Sequence, residues 1–244
     1  MNERICDMHC HILPGVDDGA ENLDTSRRML ELAWRDGIRT IIATPHYHPV
    51  KGKAGIDRWQ AALEAVQTAA GQIDSRIRVL PGCEIWYRQG IEELLLQKKV
   101  WTMCGSRYVL TEFSSGVGFS AMSDGLLNLQ RSGFYPILAH IERYACLDEP
   151  EKVEALLQMR VYLQMNADTV LRGQELLRGR YVRTLLKRGY IHFVATDAHD
   201  LTRRRPQMKK SWSYISKLCG REYADTVCGK NALRVVTGER IPFA

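Results

Sequence analysis

Residues 5–19 read Ile-Cys-Asp-Met-His-Cys-His-Ile-Leu-Pro-Gly-Val-Asp-Asp-Gly, with two histidines two positions apart. Side chains alternate across a β-strand, so His9 and His11 share a face with Asp7, while Cys6, Met8 and Cys10 point the other way into apolar packing. Paired imidazoles at a strand end are poor core material. They are good ligands for a borderline divalent metal, which wants neutral ring nitrogens in fixed geometry. The Pro-Gly and Asp-Gly steps that follow are turn chemistry, so the pair sits where a strand opens into a loop. Taken alone, the dipeptide spacing fits two hydrogen-bonded surface histidines equally well.

The elements that must position such residues recur along the chain. Strands are expected over 39–44, 78–84, 108–112, 135–140, 161–165 and 191–196, and each ends close to a His, Asp, Glu or polar turn. Between them lie helical patterns. The first is capped near Asp24-Thr25-Ser26, carries Met29, Leu30, Ala33 and Trp34 on one face and stops at Gly37. Others are expected over 57–73, 122–131, 150–159, 174–188, 210–218 and 231–236, with a polar loop at 51–55 and a mobile Ser/Gly-rich loop at 113–120. Repeated strand-then-helix units imply parallel strands with right-handed crossovers. About seven strands in 244 residues suit an α/β, TIM-like barrel forming a single domain over 1–244.

In such barrels functional side chains come from the C-terminal strand ends and the loops after them. That rule selects His9, His11, Asp18, His46, Glu84, Glu112, His140, Asp197 and His199. One such residue is usually a cap. Nine at one mouth leave carboxylates unpaired, and their repulsion is costly unless cations neutralise it. Four acids and five imidazoles without a thiolate make a mixed nitrogen–oxygen site for two or three ions of Mn, Fe or Zn. Asp7 and Asp17 are read as supporting or capping groups, His48 as a loop residue and His192 as packed away from the site.

His9-x-His11, Asp17-Asp18-Gly19, Thr44-Pro45-His46, Gly82-Cys83-Glu84-Ile85, Glu112-Phe113, Ala139-His140-x-Glu142-Arg143 and Thr196-Asp197-Ala198-His199 resemble the polymerase and histidinol phosphatase (PHP) superfamily. The stretch 110–143 is most similar to the metal-dependent bacterial tyrosine-protein phosphatases of capsule and exopolysaccharide synthesis. The resemblance covers nearly the whole chain and implies a distorted (β/α)7 barrel holding two to three divalent ions, Mn favoured. By it, His9, His11, Glu84 and Asp197 hold one ion, Glu84 bridges to a second with Glu112 and His140, and Asp18, His46 and His199 hold the third. Arg143 and one of Arg203, Arg204 and Arg205 (Arg204 or Arg205 favoured) would grip the phosphoryl group bidentately. Ile141 departs from the family pattern, where proline usually follows the histidine. The implied substrate is a phosphotyrosine protein, the C-terminal tail of a tyrosine kinase.

Composition sets outer limits. There is no apolar run long enough for a membrane span and no secretory signal pattern, so a cytoplasmic protein without membrane insertion is expected. The net charge of +6 is diffuse, which disfavours nucleic acid as partner. Seven cysteines, an odd number with no Cys-x-x-Cys pair, read as reduced thiols. Cys228 and Arg234 have the Cys-x5-Arg spacing of thiol-based phosphatases, but no buried strand or Gly-rich nest precedes them to acidify the thiol. The alternatives are a small-molecule phosphatase, such as one for histidinol phosphate, and a catalytically weak metal-holding regulator of polysaccharide assembly.

Overall fold

A computed structural model describes residues 5–48, 56–172 and 178–243. These form nine strands, all paired in parallel: β1 (Ile5–Cys10), β2 (Ile38–Ala43), β3 (His46–Tyr47), β4 (Arg78–Pro81), β5 (Glu84–Trp86), β6 (Tyr108–Glu112), β7 (Tyr135–Leu138), β8 (Tyr162–Asn166) and β9 (Phe193–Ala195). One sheet has the order β1-β2-β4 and the other β3-β5-β6-β7-β8-β9. The arrangement is mixed α/β, a curled parallel sheet with helices packed against it.

Two expected strands are each broken in two. Residues 39–44 were expected to run straight to His46, but Thr44-Pro45 separates β2 from β3, because proline cannot donate to a ladder. Likewise Gly82-Cys83 separates β4 from β5. A side chain at position 82 would bring its Cβ to 2.7 Å from Ile42 Cγ2 and 3.1 Å from Met103 Sδ, so only glycine lets the chain pass. Each break moves its strand end from the first sheet to the second. The two sheets also meet at the other side: Asp197 N–H donates to His9 O and His11 N–H to Ala198 O, both at 2.8 Å.

The first helix, Leu23–Asp36, is capped by Asn22, whose Oδ1 accepts from Thr25 N–H, two residues before the expected cap. It ends at Gly37 in the left-handed region, φ 102°. Helices Ile56–Ile73, Pro150–Gln158, Lys209–Cys219 and Asn231–Thr237 follow the apolar spacing. Helix Phe119–Arg131 starts three residues earlier than expected, within the Ser/Gly-rich stretch. Three short helices were not expected: Ile91–Leu96, Ala167–Arg172 and Arg221–Asp225. The 51–55 loop and the first residues of the 174–188 helix lie outside the described residues, and that helix is described over Arg178–Lys187. No helix among the described residues is long and apolar enough to cross a membrane.

Met8, Leu110, Ile137, Tyr162 and Phe193 belong to one buried cluster between strands, and a larger cluster lies under the helices. By alternation, Tyr108 and Leu110 share a face with Glu112. The apolar filling therefore leads directly up to a polar mouth.

Candidate metal centre

Side-chain nitrogens and oxygens gather at that mouth in three overlapping groups, the atoms of each lying within 4.8 Å of one another. His9, His11, Glu84 and Asp197 make the first, all buried. His46, Glu84 and Glu112 make the second, and His11, Asp18, His46 and His199 the third. His140 stands beside the second, its Nε2 2.7 Å from Glu84 Oε1 and 3.6 Å from Glu112 Oε2. All nine residues selected from the sequence are thus brought together.

His46 reaches both ways, with Nδ1 3.0 Å from Glu112 and 3.2 Å from Glu84, and Nε2 3.4 Å from Asp18. His11 similarly belongs to two groups.

Local backbone makes the convergence feasible. A Cβ at Gly19 would lie 2.2 Å from His11 O, so only glycine lets the Asp17-Asp18 turn fold back over His11. There Asp17 Oδ2 meets His11 Nδ1 at 2.8 Å and accepts from His46 N–H. His140 (φ 33°) and Asp197 (φ 51°) both adopt left-handed backbone, which costs a non-glycine residue about 1–2 kcal/mol. Such outliers gather where function over-determines the geometry.

Whether these residues suit divalent ions follows from their hydrogen bonding. Glu84 Oε2 and Asp197 Oδ1 are buried without a hydrogen-bond partner, a costly state for a charged oxygen. Both face the Nε2 atoms of His9 and His11, at 3.1–3.4 Å, and those two nitrogens are 3.2 Å apart. Four atoms able to accept converge on one point. The donor set fits Mn, Fe or Zn.

The charges agree. Burial favours neutral carboxyls at Glu84 and Asp197, yet the imidazoles around them, His9 foremost, hold both well below the usual range. Burial also opposes charge on His140, but Glu84 and Glu112 push it up to about 9. His11 is held well above its ordinary value, against burial, by Asp17, Asp197 and Glu84. Protons on these imidazoles are one way to neutralise the carboxylates; a divalent cation is the other and competes with them.

Beside the cluster, Arg143 donates to Asp197 Oδ2 and Arg204 Nη2 lies 2.5 Å from the same oxygen. Both line a cavity of about 1180 Å³ that runs along 166–172 and 200–207. Among three successive arginines it is Arg204 that turns toward Asp197, where Asp200 Oδ1 accepts from the N–H groups of Thr202, Arg203 and Arg204 and curls the loop. Arg203 and Arg205 are exposed on the cavity wall. Of the three, Arg204 is thus the one that pairs with Asp197.

Two residues of this region went unrecognised in the sequence. Gln164 Oε1 lies 3.1 Å from His9 Nδ1 and accepts from His140 N–H at 2.8 Å, and Asn166 Nδ2 donates to Asp197 Oδ2 at 2.8 Å. They share one face of β8 at the same i, i+2 spacing as His9 and His11, and that spacing was the available signal. Asp7 is a buried support, accepting from the N–H and hydroxyl of Thr196. Burial raises its pKa to about 6. His48 stacks on Trp86, ring centroids 5.5 Å apart, and His192 packs against Tyr162 and Phe243. Neither belongs to the three groups. Cys228 is buried in a helical turn, Thr226–Lys230, with its thiol pKa pushed up by burial.

A family model described as capsular polysaccharide synthesis, CpsB/CapC, matches residues 5–237. The chain belongs to this family. It is 31% identical to the tyrosine-protein phosphatase CpsB of Streptococcus pneumoniae over 242 residues, 96% of this chain and 99% of that one. It is 32% identical to the tyrosine-protein phosphatase YwqE of Bacillus subtilis over 226 residues, covering 88% and 85% of the two chains. Its CpsB/CapC fold superposes with a TM-score of 0.90 and 28% identity, over 98% of this chain and 97% of the other, on a crystal structure from work on YwqE from Bacillus subtilis and CpsB from Streptococcus pneumoniae, described as unique metal-dependent tyrosine phosphatases. A variant organophosphorus hydrolase from Deinococcus radiodurans shares the fold alone, at a TM-score of 0.59 and 13% identity over 96% and 93% of the chains.

Proposed function

We propose that this CpsB/CapC chain is a metal-dependent protein-tyrosine phosphatase, a phosphoric monoester hydrolase acting in the cytoplasm. Its substrate would be a tyrosine kinase that controls capsule or exopolysaccharide synthesis, met at the kinase's C-terminal tail. The observation that carries the reading is the convergence of buried, unpartnered Glu84 and Asp197 oxygens on imidazole nitrogens, with two arginines behind the same Asp197. Phosphotyrosine as the ester follows from the relatives' names. With β2/β3 and β4/β5 counted as one bent strand each, seven strands remain, which supports reading the fold as a distorted (β/α)7 barrel and the chain as a single domain over 1–244.

Two to three divalent ions, Mn favoured, would be held by His9, His11, Glu84 and Asp197, by Glu84, Glu112 and His140, and by Asp18, His46 and His199. Bound there, such ions acidify water and screen phosphoryl charge. The chain's own residues supply the rest. Asp197 Oδ2 holds Arg143 and Arg204 at the edge of the cavity, so an arriving phosphoryl dianion meets two guanidiniums already aligned for its oxygens. A phenolic leaving group, with a pKa of about 10, needs less protonation than an alkyl alcohol, which suits a mouth without a dedicated acid. A protein substrate, rather than histidinol phosphate, is favoured by the relatives, which are tyrosine-protein phosphatases.

The test is a panel of phosphotyrosine peptide, phosphoserine peptide, histidinol phosphate and single-stranded DNA on Mn-loaded protein. Phosphotyrosine peptide should be hydrolysed fastest and chelator should stop it. At most one ion per chain, with activity indifferent to chelator, would overturn the reading.

A further inference from the structure

We propose that two side-chain amides on β8, Gln164 and Asn166, act as positioning residues that set the tautomer of His9 and the orientation of Asp197, so that both present bare acceptors to a cation. The inference rests on the metal reading of the cluster and concerns residues outside it.

The argument is a matter of which atoms can donate. At one end, the Asp197 carboxylate can only accept, and its Oδ2 takes the Asn166 Nδ2 proton at 2.8 Å. Asn166 therefore turns its Oδ1 the other way, where Gln164 Nε2 donates to it at 2.8 Å. At the other end, a backbone N–H can only donate, and that of His140 points at Gln164 Oε1 at 2.8 Å. Flipping either amide would set hydrogen against hydrogen or oxygen against oxygen. Both ends fix the same direction, so neither amide orientation is free.

The consequence falls on His9. Its Nδ1 lies 3.1 Å from Gln164 Oε1, an atom already committed as an acceptor, so Nδ1 must carry the proton. In the neutral ring Nε2 is then bare, and it is Nε2 that faces Glu84 Oε2, Asp197 Oδ1 and His11 Nε2. His11 reaches the same state through Asp17 and His199 through the Asp197 carbonyl, each by one local bond within six residues. Of these three, His9 alone is set from across the sheet. The Gln164–Asn166 pair also joins three expected ligands from separate segments, His9 on β1, His140 after β7 and Asp197 after β9. The relay is buried: Gln164 is fully enclosed and Asn166 is 4% exposed, so water offers little substitute for a lost bond.

The experiment uses the full chain with Gln164→Met, which removes acceptor and donor, and Gln164→Glu, which keeps the acceptors and removes the donor. Three quantities are read: the Mn2+ dissociation constant by titration calorimetry, the His9 tautomer by nitrogen-15 correlation in chelator-treated protein at high pH, and the thermal midpoint. Gln164→Met should release His9 into a mixture of tautomers and weaken Mn2+ binding about ten- to a hundredfold, the usual cost of losing a ligand's supporting bond. Gln164→Glu should keep the Nδ1-protonated signature of His9 while shifting the Asn166 amide resonances, and weaken Mn2+ less. A folded Gln164→Met variant with His9 unchanged, or with wild-type Mn2+ affinity, would overturn the proposal. If the methionine variant does not fold, loss of the His9 signature in Gln164→Glu overturns it and retention supports it. A wild type that binds no Mn2+ would sink the metal reading, whereas the His9 nitrogen shifts would still decide the relay.

Discussion

Strands β6 to β9 have two ends, and the buried polar groups at those ends are treated in opposite ways. At the N-terminal end nearly every hydrogen-bonding atom finds a partner. Tyr108 Oη donates to Glu239 O and accepts from Ile241 N–H, Tyr162 Oη donates to Ile241 O, and His192 Nδ1 accepts from Leu163 N–H. The segment after helix Asn231–Thr237 thereby closes that end with aromatic rings. At the C-terminal end Asp197 Oδ1, His140 Nδ1 and His199 Nε2 are buried with none, as is Glu84 Oε2 beside them. The two histidines state the contrast most simply. Burial alone pushes His192 down to about 4, whereas Glu84 and Glu112 overcome burial and push His140 up to about 9. Satisfied polar groups hold the fold; a cluster of unpartnered carboxylate and imidazole atoms is the pattern that a bound cation would complete.

The largest test of that division is Glu84→Gln. Glu84 stands within 3.2 Å of nitrogens from four imidazoles, His9, His11, His46 and His140. Removing its charge should displace at least one ion and cost several kcal/mol of transition-state stabilisation, about a thousandfold in turnover. Elemental analysis beside a phosphatase assay checks it. Full ion content with normal turnover would mean that the unpartnered end is not the working end.

The opposite end should show itself in stability. His192 has a folded pKa of about 4 against an ordinary 6.5. Its lowered value means the native state prefers the neutral ring, so its contribution is fully present above pH 6.5. It is lost as pH falls from there through 4, because the unfolded chain binds the proton first. The loss amounts to about 3 kcal/mol at the acid limit. His192→Asn, which retains an acceptor but does not titrate, should flatten that part of the profile. Urea unfolding of chelator-treated protein at pH 7, 5.5 and 4 measures it, and identical profiles for both proteins would remove His192 from the account.

Arg143→Ala sharpens the working end without emptying it. Loss of a charge-assisted contact worth about 1.5–3 kcal/mol should slow hydrolysis about ten- to a hundredfold. Aryl phosphate and phosphopeptide should suffer alike, with ion content unchanged, because Arg204 and Asn166 still hold Asp197 Oδ2. Wild-type kcat/KM on both substrates would show that Ile141 has carried Arg143 away from the phosphoryl group.

Much of this polarity is legible in the sequence because it is local. The i, i+2 histidines, the strand-terminal acids and the Thr196-Asp197-Ala198-His199 run each declare themselves within a few residues. What depends on the path of the backbone does not. The breaks at Pro45 and Gly82, which put His46 and Glu84 side by side in register, read in the sequence as uninterrupted strands. Which of three adjacent arginines turns inward is decided by Asp200 capping their backbone, a contact no periodicity encodes. Gln164 and Asn166 had the right spacing but a neutral chemistry, so they passed for ordinary strand residues. Their role appears only once His9, His140 and Asp197 stand around them.

The smallest effect expected on turnover is that of Cys228→Ser, and it bears on the comparison as a whole. A thiol nucleophile needs a thiolate, lowered in pKa by cations or a nest of N–H groups. Cys228 has the reverse: it is 1% exposed, burial raises its pKa, and the nearby Asp225 and Asp7 charges raise it further. Its helical turn packs against β1 and β9 beneath the mouth rather than opening onto it. A serine there leaves every ligand and both arginines in place, so kcat/KM should match wild type within error. The cost should appear in folding instead, about 1–3 kcal/mol for enclosing a hydroxyl among apolar neighbours, read as a lower urea midpoint. Loss of turnover with unchanged stability, or a phosphocysteine trapped at position 228, would move the chemistry away from the ring of imidazoles and carboxylates. The unpartnered oxygens of Glu84 and Asp197 would then need another explanation.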